Sequence, residues 1–74
     1  MVYVYTQPNC VQCRFTKRHL EKFNLDFEER DLSDYPEIVE KAKSKGFMSA
    51  PIVTAGEIMF SGFQPDKIRK LAKD

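Results

Sequence analysis

The sequence predicts an α/β fold in which a four-stranded mixed sheet is flanked by three helices, in the order β-α-β-α-β-β-α. Two observations carry this prediction. Three stretches place apolar residues at helical spacing, four short ones are dense in β-branched and aromatic residues, and turn formers separate them. The first crossover joins strands that should run parallel with a right-handed connection, whereas the last two strands form a hairpin that adds antiparallel neighbours. The 74 residues contain no repeat, linker or low-complexity segment, and residues 1–74 read as a single domain.

Residues 2–5 (Val-Tyr-Val-Tyr) read as a strand with both faces apolar or amphipathic, which suits a central position covered on each side. Thr6 to Asn9 form a loop, because Pro8 cannot continue a strand. From Val11 to about Phe23 the period becomes helical. Cys13, Phe15, Thr16, His19, Leu20 and Phe23 share the inner face, and Arg14, Lys17, Arg18, Glu21 and Lys22 the outer one. Asn24 ends this helix, and Leu25–Asp31 is a charged second strand built around Phe27 and suited to a solvated edge. Asp34 is expected to cap the second helix, with Pro36 in its first turn and Glu37 three residues on as in a capping box. Tyr35, Ile38, Val39 and Ala42 supply its apolar stripe, and Gly46 closes it. Ile52–Thr54 and Ile58–Phe60 are strands around Ala55-Gly56-Glu57. Pro65 opens the last helix, with Ile68, Leu71 and Ala72 inward and Asp66 and Lys70 spaced for an ion pair.

Composition removes most functional classes. Twelve basic and eleven acidic residues leave a net charge of +1, with no general attraction to nucleic acid or an anionic membrane. No apolar run approaches the roughly 18 residues of a membrane span. The N-terminal residues lack the pattern of a secretory signal, so a cytoplasmic location is expected; the chain is also expected to be a monomer. Two cysteines are too few for the disulfide framework of a small secreted domain.

The chemistry therefore rests on Cys10-Val11-Gln12-Cys13, which sits where the first loop meets the first helix. Unpaired backbone N–H groups and the helix dipole favour negative charge at Cys10, and the thiolate is the nucleophilic form. Cys13 lies about one turn further on, within disulfide reach, and at the edge of the buried face. The spacing suggests an exposed attacking thiol and a semi-buried resolving one. A purely structural disulfide here would close a tiny loop worth roughly 2 kcal/mol, and a reducing cytosol would open it. Zinc needs four ligands, whereas Cys10, Cys13 and His19 offer three at most. A c-type haem would need histidine directly after the second cysteine, where Arg14 stands. His19, between two phenylalanines, reads as a core or boundary histidine.

A strand, a Cys-x-x-Cys at the next helix start and Ala50-Pro51 before a later strand resemble the thioredoxin–glutaredoxin superfamily. Three motifs, residues 5–13 (Tyr-Thr-Gln-Pro-Asn-Cys-Val-Gln-Cys), 49–53 (Ser-Ala-Pro-Ile-Val) and 60–66 (Phe-Ser-Gly-Phe-Gln-Pro-Asp), resemble those of the NrdH-redoxins. These are glutaredoxin-like electron donors to ribonucleotide reductase, and the resemblance spans the whole chain. It implies a thioredoxin-like fold and a thiol–disulfide oxidoreductase without metal or organic cofactor, reduced by thioredoxin reductase and reducing ribonucleotide reductase. It also implies that Pro51 is a cis-proline facing the disulfide. Ser49 and Ala50 would offer backbone hydrogen bonds to an extended partner. Val11, Gln12, Gly62, Phe63 and Gln64 would complete the partner-binding surface, with core packing the competing role for Phe63. Val11-Gln12 replaces the Pro-Tyr of typical glutaredoxins, and Gly62-Phe63-Gln64 departs from their Gly-Gly, so the usual glutathione pocket is incomplete. Phe60 stands where many NrdH-redoxins carry Trp and should keep an aromatic surface there. The alternatives to this reading are a glutathione-dependent glutaredoxin and a non-catalytic redox-sensing or metal-binding adaptor.

Overall fold

The computed structural model describes residues 1–47 and 49–72. Strand β1 (Val2–Thr6) leads through a loop into helix α1 (Val11–Lys22), followed by β2 (Phe27–Asp31), a 3₁₀ turn (Leu32–Asp34) and α2 (Pro36–Ser44). The chain ends with β3 (Ile52–Ala55), β4 (Ile58–Ser61) and α3 (Pro65–Ala72). The sheet order is β2-β1-β3-β4, so the charged strand β2 is an edge, as its composition predicts. β1 pairs parallel with β2 and antiparallel with β3, and β3 pairs antiparallel with β4. This is the mixed four-stranded sheet with three helices of a thioredoxin-like fold.

The alternation of side chains along β1 divides the interior in two. Val2 and Val4 enter a core with Leu20 of α1, Val53, Phe60 and Ile68 of α3, rimmed by Phe23, Leu25, Phe27, Phe63 and Leu71. Tyr5 enters a second core with Ala42 of α2 and Ile52, rimmed by Tyr3, Tyr35, Ile38, Phe47 and Met59. The second face has one nine-residue helix over it, and Arg30 of β2 supplements that cover. Its guanidinium lies 4.0 Å from the Tyr3 ring centroid and 4.9 Å from that of Tyr35, and it donates to Tyr5 Oη at 3.2 Å. Each such stacking contributes about 0.5–1 kcal/mol at a partly exposed site. Arg30 therefore roofs the aromatic face while its neighbours remain solvated.

Helices α1 and α2 end where the sequence predicts, and by the same device. Asn24 adopts a left-handed φ of 57°, its N–H bonds Glu21 O, and the Leu25 N–H reaches back to Leu20 O at 2.9 Å. Gly46 (φ 83°) and Phe47 repeat the pattern on Lys43 O and Ala42 O. These paired bonds satisfy the last carbonyls of each helix. Leu25 is thereby committed to closing α1, which is why β2 begins at Phe27.

Four expectations need correction. Phe15 is 44% exposed, because the buried arc of α1 is centred on Cys13, Thr16 and Leu20 and Phe15 lies beyond its edge. Asp34 does not cap α2: the Asp31 carboxylate accepts from Ser33 N at 2.9 Å and winds residues 32–34 into the 3₁₀ turn. The N-cap then falls on Tyr35, which has no side-chain cap bond. Asp66 and Lys70 do not pair; the ion pairs among the described residues are Lys17–Glu29 at 2.9 Å and Arg30–Glu28. The hairpin loop shrinks to Gly56 and Glu57, since Ala55 pairs with Ile58. Glycine with φ 61° at the first loop position fits a type II′ turn.

Thr16 is fully buried, and its hydroxyl has no hydrogen-bond partner among the described residues. Leaving a hydroxyl unsatisfied in the interior costs about 1–3 kcal/mol. Thr16→Val keeps the shape and removes that cost. The variant should gain about 1 kcal/mol and melt roughly 4–8 °C higher. Thermal unfolding of the oxidised protein checks this, and an unchanged or lower midpoint refutes it.

Candidate active site

The site is assembled at the end of β1. Pro8 stops the strand, Asn9 turns the chain through a left-handed φ of 59°, and Cys10 is left extended (φ −106°, ψ 108°) as the N-cap of α1. Asparagine tolerates that conformation better than most side chains. The Cys10 carbonyl accepts the first helical bond, from Arg14 N at 3.3 Å. Its sulfur takes the place a capping oxygen usually fills, accepting from Cys13 N at 3.1 Å. The two Cα atoms are 5.2 Å apart and the thiols are joined as a disulfide. Cys10 is half-buried, whereas Cys13 is 3% exposed. Cys10 is thus the more exposed member of the pair.

The electrostatic setting favours an anion at the helix start. The first turn of α1 holds no acidic residue, and Arg14 follows the pair directly. Glu29, on the neighbouring edge strand, is held by Lys17 Nζ and by the Thr6 hydroxyl at 3.1 Å. The lysine bond is the larger cause that holds its carboxyl below the usual range. Thr6 thus links the end of β1 to β2 directly before the reactive loop.

Three chain segments converge through Gln12. Its Oε1 accepts from Phe63 N at 3.0 Å, and a Cβ placed on Gly62 would lie 3.2 Å from the same oxygen. Gly62 N in turn donates to Pro51 O at 2.9 Å, and the Ala50–Pro51 peptide bond is cis. The close approach that Gly62 permits is therefore made by this chain's own glutamine. Phe63 is half-buried. It packs on the first core, and its ring centroid lies 5.9 Å from Phe15 and 5.0 Å from His19. His19 also meets Phe23 edge-on at 5.9 Å, so it is a boundary residue lodged among aromatic rings. Among the described residues no three His, Cys, Asp or Glu side chains group as metal ligands.

Other expected site residues lie apart from this junction. Val11 stands 58% exposed beside Cys10. Exposed Ser49 and buried Ala50 border a cavity of about 530 Å³ on the α2 side, together with Gln7, Pro8, Lys43 and Phe47; neither cysteine lines it. Gln64 donates from Nε2 to Ser61 O at 2.6 Å, and its carbonyl receives the first amides of α3. Phe60 is wholly buried in the first core and presents no aromatic surface. On β4 its side chain takes the inward turn of the pleat, opposite Val53. Thr6 and the exposed Phe15 join the surroundings of the site without having been singled out by sequence. A threonine ending the strand before Cys-x-x-Cys was a visible signal for the first, and the arginines on either side of Phe15 were a signal for the second.

Gly62→Ala tests this junction. At φ 78° an alanine costs about 1–2 kcal/mol, and its methyl crowds the oxygen that Phe63 N needs. Urea unfolding should show that loss. Adding Gln12→Ala should relieve the crowding and leave the backbone cost. A Gly62→Ala midpoint equal to that of the parent protein would refute the argument.

The glutaredoxin family model matches residues 2–59. The glutaredoxin-like protein NrdH of Lactococcus lactis subsp. lactis strain IL1403 is 42% identical over 72 residues, spanning 97% of this chain and all of that one. Its namesake from Escherichia coli K12 is 43% identical over 68 residues, covering 92% of this chain and 84% of that one. The solved structure of the Escherichia coli NrdH-redoxin superposes with a TM-score of 0.83 at 41% identity, covering 95% and 92% of the two chains. A cysteine pair at a helix N-terminus, a thioredoxin-like sheet and these relatives agree: the chain belongs to the glutaredoxin family, as a glutaredoxin-like NrdH thiol–disulfide oxidoreductase.

Proposed function

We propose that Cys10 is the attacking thiol and Cys13 the resolving thiol of a cytoplasmic electron carrier, which thioredoxin reductase reduces and which reduces ribonucleotide reductase. The observation that supports the assignment is the asymmetry of the pair. Cys10 is half-buried and its sulfur accepts an amide hydrogen, whereas Cys13 is 3% exposed. In the reduced protein that amide, with the helix start, favours Cys10 as thiolate. The Cys10 thiolate attacks one sulfur of the partner's disulfide; the S–S bond breaks and the other partner sulfur leaves as a thiolate that takes up a proton. Cys13 then loses its proton and attacks the Cys10 sulfur, which releases the second partner thiolate and closes the Cys10–Cys13 disulfide. Two electrons have passed to the partner, and a reductase dithiol returns two by the reverse exchange.

Partner contact is assigned to Val11 and Gln12 around the sulfur, to Ser49, Ala50 and Pro51 along an extended segment, and to Gly62, Phe63 and Gln64 on the other side. A thioredoxin-type reductant is supported by the Escherichia coli NrdH-redoxin, a protein with a thioredoxin-like activity profile. It is supported as well by Gln12, which stands where typical glutaredoxins carry Tyr and whose Oε1 accepts from Phe63 N. The partner pair is proposed from the resemblance of the chain's motifs to those of the NrdH-redoxins.

Two measurements test this function. Cys13→Ser should accumulate a mixed disulfide with a disulfide substrate on non-reducing gels, whereas Cys10→Ser should accumulate none and lose disulfide reduction to background. Retained activity in Cys10→Ser sinks the assignment. Turnover of the parent protein should be supported by NADPH with thioredoxin reductase, and at least tenfold less well by glutathione with its reductase. The opposite preference overturns the reductant.

A further inference from the structure

The outward ridge of α1 is not the polar face an ordinary surface helix presents. Val11, Arg14, Phe15 and Arg18 stand at i, i+3, i+4 and i+7, so they form one continuous stripe. All four are exposed, Val11 at 58% and Phe15 at 44%. The stripe begins at the residue next to Cys10. Through the Phe15–Phe63 contact at 5.9 Å it continues onto the loop that Gln12 holds in place. The apolar surface therefore runs from the disulfide across two elements.

Its charge has one sign. The first turn of α1 carries no acid, and the nearby carboxylate of Glu29 is taken by Lys17. Arg14 and Arg18 make no ion pair among the described residues. The net charge of the chain is only +1, so this is a local feature, felt within a Debye length of about 10 Å. A guanidinium pair separated by one helical turn suits carboxylates, which arginine binds through two parallel N–H bonds.

We propose that the disulfide-bearing segment reduced by Cys10 is an acidic peptide with an apolar side chain, seated along this ridge. The inference rests on the assignment of Cys10 as the attacking thiol. The partner's apolar side chain packs on Phe15 and Phe63, and its carboxylates meet Arg14 and Arg18. From Cys10 to Arg18 the helix rises roughly 12 Å, which an extended segment spans in roughly four residues. The acidic positions therefore fall within about four residues of the partner's reacting cysteine.

Three synthetic disulfide peptides test it, identical except that the residues flanking the cysteines are acidic, basic or uncharged, each with one leucine. Reduction by the reduced protein is followed at low and high ionic strength. At low salt the acidic peptide should react roughly tenfold faster than the basic one, and high salt should shrink that ratio. Moving the acids beyond four residues from the cysteine should have the same effect. In Arg14→Glu/Arg18→Glu the ratio should invert, and Phe15→Ser should slow all three peptides. Equal rates on the three peptides, or a ratio unmoved by the double charge reversal, overturn the proposal while leaving the redox assignment standing. If none of the peptides is reduced, it is the assignment of Cys10 that fails.

Discussion

The first turn of α1 must dispose of an amide hydrogen, and it gives that hydrogen to a sulfur. A helix start leaves its leading N–H groups without backbone partners, and serine, threonine, aspartate or asparagine ordinarily supplies the acceptor. Cys10 stands in that place here. A neutral or disulfide sulfur accepts weakly, but a thiolate accepts strongly. The cap is thus least satisfied when the pair is oxidised and best satisfied when Cys10 carries charge. Under the assignment of Cys10 as the attacking thiol, a requirement of helix geometry becomes a bias toward the reactive form. The loop before it serves the same end: Pro8 stops β1, and Asn9 turns the chain so that Cys10 enters the helix extended.

Holding that cap steady is the task of a small interior. β1 lies between β2 and β3, and its alternate side chains feed two separate cores. The core under α1 and α3 is the more heavily covered, and Leu20, Phe60 and Ile68 there are fully buried. Cys13 and Thr16 face inward on the same helix, so the packing of α1 fixes the buried sulfur of the pair as well. The aromatic face under α2 leans on Arg30, whose stem and guanidinium cover tyrosine rings that one short helix leaves uncovered.

Much of this was legible because the signals were local. The alternation in β1, the glycine of the hairpin, Asn24 and Gly46 each act through their own backbone, and each behaves as its chemistry predicts. What the sequence concealed depends on partners remote along the chain. Phe15 sits at a helical position that periodicity alone reads as inner, and only the placement of α3 and the 62–63 loop shows that the buried arc stops short of it. Asp34 has the spacing of a capping box, but Asp31 competes for the same turn and winds it first. Phe60 resembles a surface aromatic by analogy with tryptophan, yet the pleat of β4 opposite Val53 turns it into the core. Arg30 reads as one more charge on an edge strand until the three tyrosine rings are seen beneath it.

The same contrast applies between the cysteines themselves. Val11 and Gln12 are adjacent, but a helix turns successive residues by about 100°, so they serve different masters. Val11 projects to solvent at the head of the outward ridge, and Gln12 turns toward the Gly62 loop. The carboxamide oxygen takes the one amide hydrogen that Phe63 offers, and a side chain on Gly62 would press that oxygen back by a few tenths of an ångström. Gly62 then donates onward to Pro51. The three segments that meet here are thus fixed to one another by two backbone amides and one side-chain oxygen. A surface tied in this way has no need to reorganise when a partner arrives, and the entropy of ordering these loops is met by folding and not by binding. An exposed residue between two cysteines offers a partner only what the fold has not already engaged: for Val11 the whole side chain, for Gln12 what its bond to Phe63 N leaves free.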